Sequence, residues 1–329
     1  MKRKQKRASK ARISACAKPA SKAVPVIPLF REFYLSRGFS ASRTRHYETA
    51  CRMLERYESR FGLRLDARGV DSARLASMLS FIREEPGHYG PRSDNYLHGI
   101  FKMYRAFFNW CRKTGIRRDD PFTGFSMPRE TYGTPVILSL DEFHAVASCR
   151  LPSGHLDRIR DIFVFQCCVG SRAGDLFSFT KDSVRDGVLE YVAGKTASFD
   201  GRTVSVPLNG LAISVLDKYA SLPGEALLPK VSLQAYNRDI KKVFLAAGID
   251  RMVSVYDPRT RSTARRPLYE VASSHLARRT FIGNLYRRVK DPSLIGSMSG
   301  HAEGSRAFAR YRDIDMATKR ELVAYLEGD

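Results

Sequence analysis

The chain lacks the cysteine spacing of a structural metal site or of a disulfide framework. Its cysteines are scattered over 329 residues, and none of them forms a Cys-x-x-Cys pair. The chain is also far longer than the small modules that disulfides hold together. We therefore expect reduced thiols, as in a cytosolic protein, and no structural zinc site. The cysteines are Cys16, Cys51, Cys111, Cys149, Cys167 and Cys168.

Long apolar runs are also missing. No hydrophobic stretch of the sequence reaches the length of about 20 residues that a transmembrane helix needs. The charged N-terminus (MKRKQKRASKAR) is not followed by the apolar core of a secretion signal. These absences predict a protein that is neither membrane-embedded nor secreted, with the cytoplasm as its location.

Acidic residues are few compared with basic ones. The chain has 34 Asp and Glu against 56 Lys and Arg, which gives a formal net charge of +22 and a pI near 10.0. Clustered basic side chains gain free energy by displacing counterions from phosphates, so this balance favours a nucleic-acid partner. The alternative is a basic surface without such a role, and charge alone does not separate DNA from RNA.

The basic character is strongest at the N-terminus. The first 22 residues contain nine Lys or Arg and no acidic residue. Without apolar periodicity, this composition predicts that residues 1–23 form a flexible basic tail. Two interpretations stay open: the tail lies along a DNA backbone, or it is a solvated segment without a role.

Residues 24–128 are predicted to form a helical domain. Its clearest helix spans residues 42–61, whose apolar side consists of Tyr47, Ala50, Cys51, Leu54 and Phe61. Four arginines occupy the opposite side, and we predict that this arginine stripe contacts DNA phosphates, with a solvated surface as the alternative. The stripe consists of Arg45, Arg52, Arg56 and Arg60. Arg43, near the start of the helix, is also predicted to bind DNA. A second helix is predicted over residues 93–113, ended by Gly115.

A linker separates this domain from the rest of the chain. Residues 127–135 (MPRETYGTP) hold two prolines and a glycine between periodic segments. We assign 129–135 to the linker and 136–329 to a second domain, whose first helix begins after Ser139, with Glu142 completing a capping box. Two short strands are predicted at 188–193 and 202–206, and a basic loop or hairpin at 250–273. Further helices are predicted at 157–170, 209–221, 233–247, 274–289, 291–298, 303–310 and 316–327.

Four segments of the second domain carry residues suited to phosphate chemistry. One of them, Gly194-Lys195-Thr196, resembles the end of a nucleotide-binding P-loop, but that loop needs a glycine where this chain has Leu189. We therefore reject the nucleotide-binding interpretation. The other three segments are 170–176 (GSRAGDL), 274–280 (SHLARRT), and Gly300-His301 with Tyr311 ten residues after the histidine.

Together and in this order, the four segments resemble the catalytic signature of the tyrosine recombinase, or phage integrase, family. That signature is Arg, a hairpin Lys, His-x-x-Arg, Gly-His and Tyr. The stretch SHLARRTF is most similar to integrases of conjugative transposons and related mobile elements. The resemblance implies a mainly α fold. A helical, SAM-like N-terminal domain would clamp DNA, and a mostly helical catalytic domain would contain a small β-sheet.

The resemblance also implies an enzyme that breaks and rejoins DNA through a covalent 3′-phosphotyrosine, without a metal or another cofactor. Tyr311 would be the nucleophile, and Arg172 and Arg278 would hold the phosphate oxygens. His275 would assist removal of the phenol proton. The implied site residues are Arg172, Lys195, His275, Arg278, His301 and Tyr311.

The two remaining site residues also have implied roles. Lys195 would protonate the leaving group, and His301 would hydrogen-bond the phosphate.

The sequence departs from the family pattern at three places. Many family members have His where this chain has Arg279, and Glu where it has Asp175. The interval from His301 to Tyr311 is about one residue longer than the family pattern.

Two other functions remain open. One is a DNA-binding relative without catalysis, although all six expected positions hold the expected residue types. The other is a type IB topoisomerase, against which the short second domain and the helical first domain argue. The implied partners are double-stranded DNA with specific sites, further copies of the chain in a tetramer on DNA, and accessory DNA-bending or directionality proteins. A monomer in solution stays open, no membrane partner is expected, and the implied location is the nucleoid.

Overall fold

The computed structural model describes residues 23–87, 90–194, 201, 203–289, 291–301, 310, 320 and 323. The chain divides into two compact units. The first is Met1–Thr131 with Pro258–Thr260, and the second is Tyr132–Asp257 with Arg261–Asp329. Residues 125–139 contain no helix or strand. The predicted basic tail and nearly all of the two last predicted helices lie outside the described residues.

Four helices build the described part of the first unit. The predicted helix over 42–61 is confirmed, since Ser40 caps it by accepting from the Arg43 backbone N–H, and Gly62 ends it at φ +61°. One residue of its predicted apolar side is wrong: Phe61 is 52% exposed and lies against the rings of Tyr57 and Phe81 instead of in the core. The helices are α1 (Val26–Leu35), α2 (Ala41–Phe61), α3 (Ser72–Glu84) and α4 (Asp94–Lys113).

The core of this unit is aromatic. Phe30 of α1 is fully buried, with the rings of Tyr47, Tyr104 and Phe107 at 5.2–5.9 Å. Such ring pairs add to the hydrophobic stabilisation of α1, α2 and α4. The predicted helix over 93–113 is confirmed, and Gly115 follows its end at φ +74°.

One buried arginine ties the loops of the first unit together. Arg117 is 4% exposed and donates to the backbone oxygens of Ala67 and Val70 at 3.0 and 2.9 Å. Its Nη2 also contacts the Asp119 carboxylate at 2.7 Å, which lowers the pKa of Asp119. A buried charge is tolerated here because each of the three guanidinium nitrogens donates to an oxygen.

The second unit consists of helices around a small antiparallel sheet and a separate hairpin. Strands β1, β2 and β3 pair in that order, with Tyr191 opposite Val204, and β4 pairs with β5. The predicted loop or hairpin at 250–273 is therefore a hairpin followed by a short helix. The strands are β1 (Val184–Arg185), β2 (Val188–Val192), β3 (Thr203–Pro207), β4 (Met252–Asp257) and β5 (Ser262–Pro267). The helices are α5 (Leu140–Ser148), α6 (Gly154–Val169), α7 (Ala173–Leu176), α8 (Gly210–Lys218), α9 (Leu233–Ala246), α10 (Leu268–Val271), α11 (Ser274–Val289) and α12 (Pro292–Ser299).

Helix α6 lies at the centre of this unit. Its Ile162, Phe163 and Phe165 are fully buried, and α8, α9 and α11 pack around it. The capping box of Ser139 and Glu142 at the start of α5 is present as predicted. Five cysteines of the described segments are free thiols. Among the described residues, no helix is both long enough and apolar enough to cross a membrane.

We predict that Arg117→Met lowers the free energy of unfolding of the first unit by about 3 kcal/mol, because the buried oxygens of Ala67 and Val70 lose their donors. The single tryptophan of the chain, Trp110, lies in α4, so its fluorescence during urea titration reports this unit. The neighbouring exposed Arg118→Met is the matched control and should change stability by about 0.5 kcal/mol at most. Equal losses in both variants would contradict the prediction.

Candidate active site

The segment that carries Arg172 begins with a glycine that no other residue can replace without movement. Helix α6 ends at Gly170 with φ +64°. A Cβ added there would lie 2.2 Å from Cδ1 of Phe281, well inside van der Waals contact. The left-handed turn and the packed Phe281 ring together require glycine.

A buried polar network fixes the backbone after this turn. The side-chain amide of Gln166 donates to the Ser171 carbonyl at 3.0 Å. The Tyr236 hydroxyl donates to the Gln166 carbonyl oxygen at 2.8 Å, and both side chains are fully buried. Buried polar groups with satisfied partners rigidify their surroundings, so Arg172 projects from a fixed backbone.

Arg172 combines fixed and available donors. Its Nη2 donates to the Gly300 carbonyl at 3.4 Å, and its Nη1 lies 3.8 Å from Oδ2 of Asp175. Within the described part of the chain, the buried Nη1 has no hydrogen-bond partner. This donor can therefore bind an oxygen atom of a ligand without giving up a hydrogen bond to the described residues.

Arg278 of α11 is almost enclosed, with 2% of its surface exposed. Its Nη1 donates to the Gly170 carbonyl at 2.8 Å and to the Ser299 carbonyl at 2.5 Å. Its Nη2 lies 3.0 and 3.2 Å from the two ring nitrogens of His301. The guanidinium is thus held in place by protein groups before any ligand binds.

Two side chains hold the ring of His301. The Ser299 hydroxyl donates to the Ile295 carbonyl at 2.7 Å, and its oxygen lies 2.9 Å from His301 Nδ1. Arg278 Nη2 lies against both ring nitrogens, and because a guanidinium only donates, the ring accepts from it.

His275 begins α11 one turn before Arg278. The residue keeps more than a third of its surface accessible, yet desolvation and then the charges of four arginines together lower its pKa to about 4. In order of effect these are Arg279, Arg278, Arg172 and Arg310. Both effects disfavour the charged form, so His275 is a neutral ring at pH 7.

Asp175 connects Arg172 to the β2–β3 hairpin. Its Oδ1 accepts from the Gly194 backbone N–H at 3.0 Å, and Gly194 directly precedes Lys195. The side chain is 12% exposed. The sequence showed Asp175 only as a departure from a motif, whereas the structure makes it the anchor of the hairpin that carries Lys195.

The structure brings four of the six predicted site residues together, and we call Arg172, His275, Arg278 and His301 the basic cluster. Lys195 and Tyr311 lie outside the described residues. Sequence reasoning missed Gln166 and Ser299, which hold members of the cluster. A polar residue within the apolar run IFVFQCCV was the available signal for Gln166. Ser299 gave no signal beyond its place before Gly300.

The predicted arginine stripe lies on the surface of α2, and its four residues are exposed, as is Arg43. Arg56 pairs with Glu85 at 2.9 Å, and Arg43 stacks on the ring of Phe39 at 4.3 Å. Arg52 donates to the Thr49 hydroxyl at 2.9 Å. The stripe is therefore an exposed basic surface that is partly ordered by neighbouring side chains.

Known tyrosine recombinases are similar to this chain in sequence and fold. The tyrosine recombinase XerD of Listeria monocytogenes is 24% identical over 277 residues, 82% of this chain and 87% of the relative. A lambda integrase dimer bound to a COC′ core site matches with a TM-score of 0.63 and 17% identity, over 89% of this chain and 78% of that chain. The Tn1549 transposon integrase in complex with circular intermediate DNA matches with a TM-score of 0.65 and 15% identity, over 88% and 95%. No protein-family model matches. The predicted mainly α fold with a small β-sheet is confirmed.

We predict that the His275 imidazole titrates with a pKa of about 4 in the free protein, measured by NMR of 13C-labelled histidine. Arg279→Gln should raise this pKa toward its usual value of about 6.5, since Arg279 is the arginine whose charge lowers the pKa of His275 most. The exposed Arg288→Gln is the control and should leave the His275 titration unchanged.

The lowered pKa of His275 also determines how the stability of the protein depends on pH. Because the folded pKa of His275 lies below the unfolded one, the unfolded chain takes up this proton first. The contribution of His275 to stability is present above about pH 6.5 and is lost as the pH falls to about 4. A His275 signal that titrates near 6.5 in the unmodified protein would contradict both statements.

Proposed function

We propose that this chain, which belongs to the tyrosine recombinase family, is a site-specific DNA recombinase that breaks and rejoins DNA through a covalent 3′-phosphotyrosine. The observation that carries the proposal is the convergence of the basic cluster from three distant segments. Arg278 bonds to Gly170 across 108 positions, and Arg172 bonds to Gly300 across 128.

The arginines suit a phosphodiester under attack. Negative charge builds on the non-bridging oxygens in the transition state, and guanidinium donors stabilise it without ever deprotonating. Arg172 offers a buried donor that makes no hydrogen bond among the described residues, and Arg278 is preorganised by two carbonyls. Loss of one such donor typically raises the barrier by about 3 kcal/mol or more.

Proton transfers are divided among the other residues. Tyr311 attacks phosphorus and must lose its phenol proton, whose ordinary pKa is near 10. His275, neutral at pH 7, is suited to accept this proton. Lys195, on the hairpin that Asp175 anchors, gives a proton to the leaving 5′-oxygen, which becomes the 5′-hydroxyl. His301 holds Arg278 and reaches the phosphate after its contact with Arg278 rearranges.

The intermediate conserves the energy of the broken bond, because a phosphotyrosine ester replaces the DNA phosphodiester. Religation by the 5′-hydroxyl therefore needs no ATP, and we propose that no metal or cofactor takes part.

The proposed partners are double-stranded DNA with specific sites and further copies of the chain. A tetramer on DNA is supported by a lambda integrase tetramer bound to a Holliday junction, to which this chain is similar in fold. Accessory DNA-bending proteins and a location on the cytoplasmic nucleoid belong to the same proposal.

We predict a covalent protein–DNA adduct when the full chain is incubated with nicked duplexes tiled across the DNA that flanks its gene. The nick lets the cleaved fragment diffuse away, so the adduct accumulates on a denaturing gel. Tyr311→Phe should abolish the adduct because it removes the nucleophile. Arg172→Ala should reduce its rate at least about a hundredfold while leaving most of the DNA affinity.

The outcomes of this experiment separate the three candidate functions. DNA binding without any adduct would reduce the protein to a DNA-binding relative of these enzymes. Relaxation of plasmids regardless of sequence would identify a type IB topoisomerase. Equal loss of affinity and cleavage in Arg172→Ala would make this residue a binding or structural group.

The arginine stripe gives a separate prediction. Arg45→Gln, Arg52→Gln and Arg60→Gln should each lower the slope of log affinity against log salt by about 0.9, because each removes one phosphate contact. The exposed Arg118→Gln, off the stripe, is the control. Unchanged slopes in the three stripe variants, measured by fluorescence anisotropy at several salt concentrations, would make the stripe an ordinary solvated surface.

A further inference from the structure

The first turn of α11, which carries His275, is held by a residue of another helix. The backbone N–H of Ser274, the first residue of α11, donates to Oδ1 of Asn237 in α9 at 2.8 Å. The first N–H groups of a helix have no acceptor within the helix, so an acceptor from outside fixes this end. Ser274 is buried, so the loss of this acceptor would leave its N–H without a partner.

His275 depends on its backbone for its position. Arg278, one turn later, is fixed by hydrogen bonds from its side chain to the Gly170 and Ser299 carbonyls. Among the described residues, no hydrogen bond reaches the ring of His275. Consecutive Cα atoms are about 3.8 Å apart, so a contact that fixes Ser274 restricts where His275 can lie.

Helix α9 is a firm support for this contact. Tyr236, the residue before Asn237, is fully buried, and its hydroxyl donates to Gln166. Gln166 in turn holds the backbone just before Arg172. Two consecutive residues of α9 therefore hold two separate segments of the basic cluster, one with Arg172 and one with His275.

We propose that Asn237 is a positioning residue for DNA cleavage: its side-chain oxygen fixes the first turn of α11 and so places the His275 ring within the basic cluster. The inference rests on the proposed function, because it takes His275 to act in cleavage. Asn237 does not belong to the six-residue signature. Its role needs one acceptor atom that faces the Ser274 N–H.

The chemistry of the contact predicts which substitutions it tolerates. Aspartate has nearly the shape of asparagine and keeps an oxygen acceptor, and its negative charge is favourable at the start of a helix. Alanine removes the acceptor. Asn237→Asp should therefore keep His275 in place, whereas Asn237→Ala should not.

Amide hydrogen exchange of the full chain without DNA, followed by NMR, tests the contact itself. Asn237→Ala should speed exchange of the Ser274 N–H roughly twofold to thirtyfold, the factor to which a helix cap corresponds. The amides in the middle of α9 should keep their rates, which would show that the helix stays folded. Asn237→Asp should keep the protection of Ser274. Gln234→Ala, which removes an exposed amide side chain from the same helix, is the matched control and should change nothing.

Single-turnover cleavage of the nicked duplex, at saturating concentrations of the full chain, tests the role in catalysis. Asn237→Ala should slow adduct formation roughly twofold to thirtyfold, whereas Asn237→Asp should remain within about twofold of the unmodified protein. Gln234→Ala should cleave at the unmodified rate. In a His275→Ala background, Asn237→Ala should cause no further loss, because it acts through His275. A merely structural role would slow both backgrounds by the same factor.

The two experiments separate the inference from the proposed function. If the unmodified protein forms no adduct with any duplex, the proposed function fails and the role of Asn237 in cleavage fails with it. If the adduct forms but Asn237→Ala cleaves at the normal rate, the positioning role alone is wrong. Equal losses in Asn237→Ala and Asn237→Asp would also overturn it, as would unchanged exchange of the Ser274 N–H in Asn237→Ala.

Discussion

The site depends on how the charge of Arg278 is satisfied inside the protein. Its Nη1 binds the carbonyls of Gly170 and Ser299, which stand at the C-terminal ends of α6 and α12. The last carbonyls of a helix have no partner within the helix and carry partial negative charge. One guanidinium therefore neutralises two helix ends and fixes their separation. Without it, two buried carbonyl groups would repel each other. The two segments that follow them would then no longer be held at a fixed distance from each other.

The same local design recurs at both of these helix ends. Each helix stops at a glycine in the left-handed conformation, with φ +64° at Gly170 and φ +62° at Gly300. A member of the basic cluster follows within two residues, Arg172 in one case and His301 in the other. Added Cβ atoms would meet Phe281 at 2.2 Å and Val204 at 3.2 Å, respectively. The glycines of both motifs are thus required by backbone geometry and packing, and the neighbouring arginine and histidine are aimed by the turns that the glycines permit.

Sequence patterns captured what depends on local interactions and missed what depends on pairing across the chain. The helices α2 and α4 and the capping box at Ser139 were predictable, because periodicity and caps act over a few residues. The hairpin β4–β5 was left open between two forms, since its exposed arginines give no alternating pattern and only strand pairing defines it. Phe61 followed the helical period and is still 52% exposed, because periodicity shows which side of a helix is apolar but not where along the helix burial ends. Likewise, the hydrogen bond from the Gly194 backbone N–H to Asp175 spans 19 positions, and no sequence pattern predicts it.

The positive charge of the site also links substrate binding to base strength. In the free protein, desolvation and the arginines around His275 together hold its pKa at about 4, so the ring is neutral but a weak base. On the proposed mechanism, a phosphodiester bound by Arg172 adds a negative charge among these arginines and offsets their effect on the ring. The proton affinity of His275 then rises as the substrate arrives, and it becomes better matched to the phenol whose proton it accepts. A site built from fixed cations around one histidine therefore keeps its base weak until a phosphate occupies it.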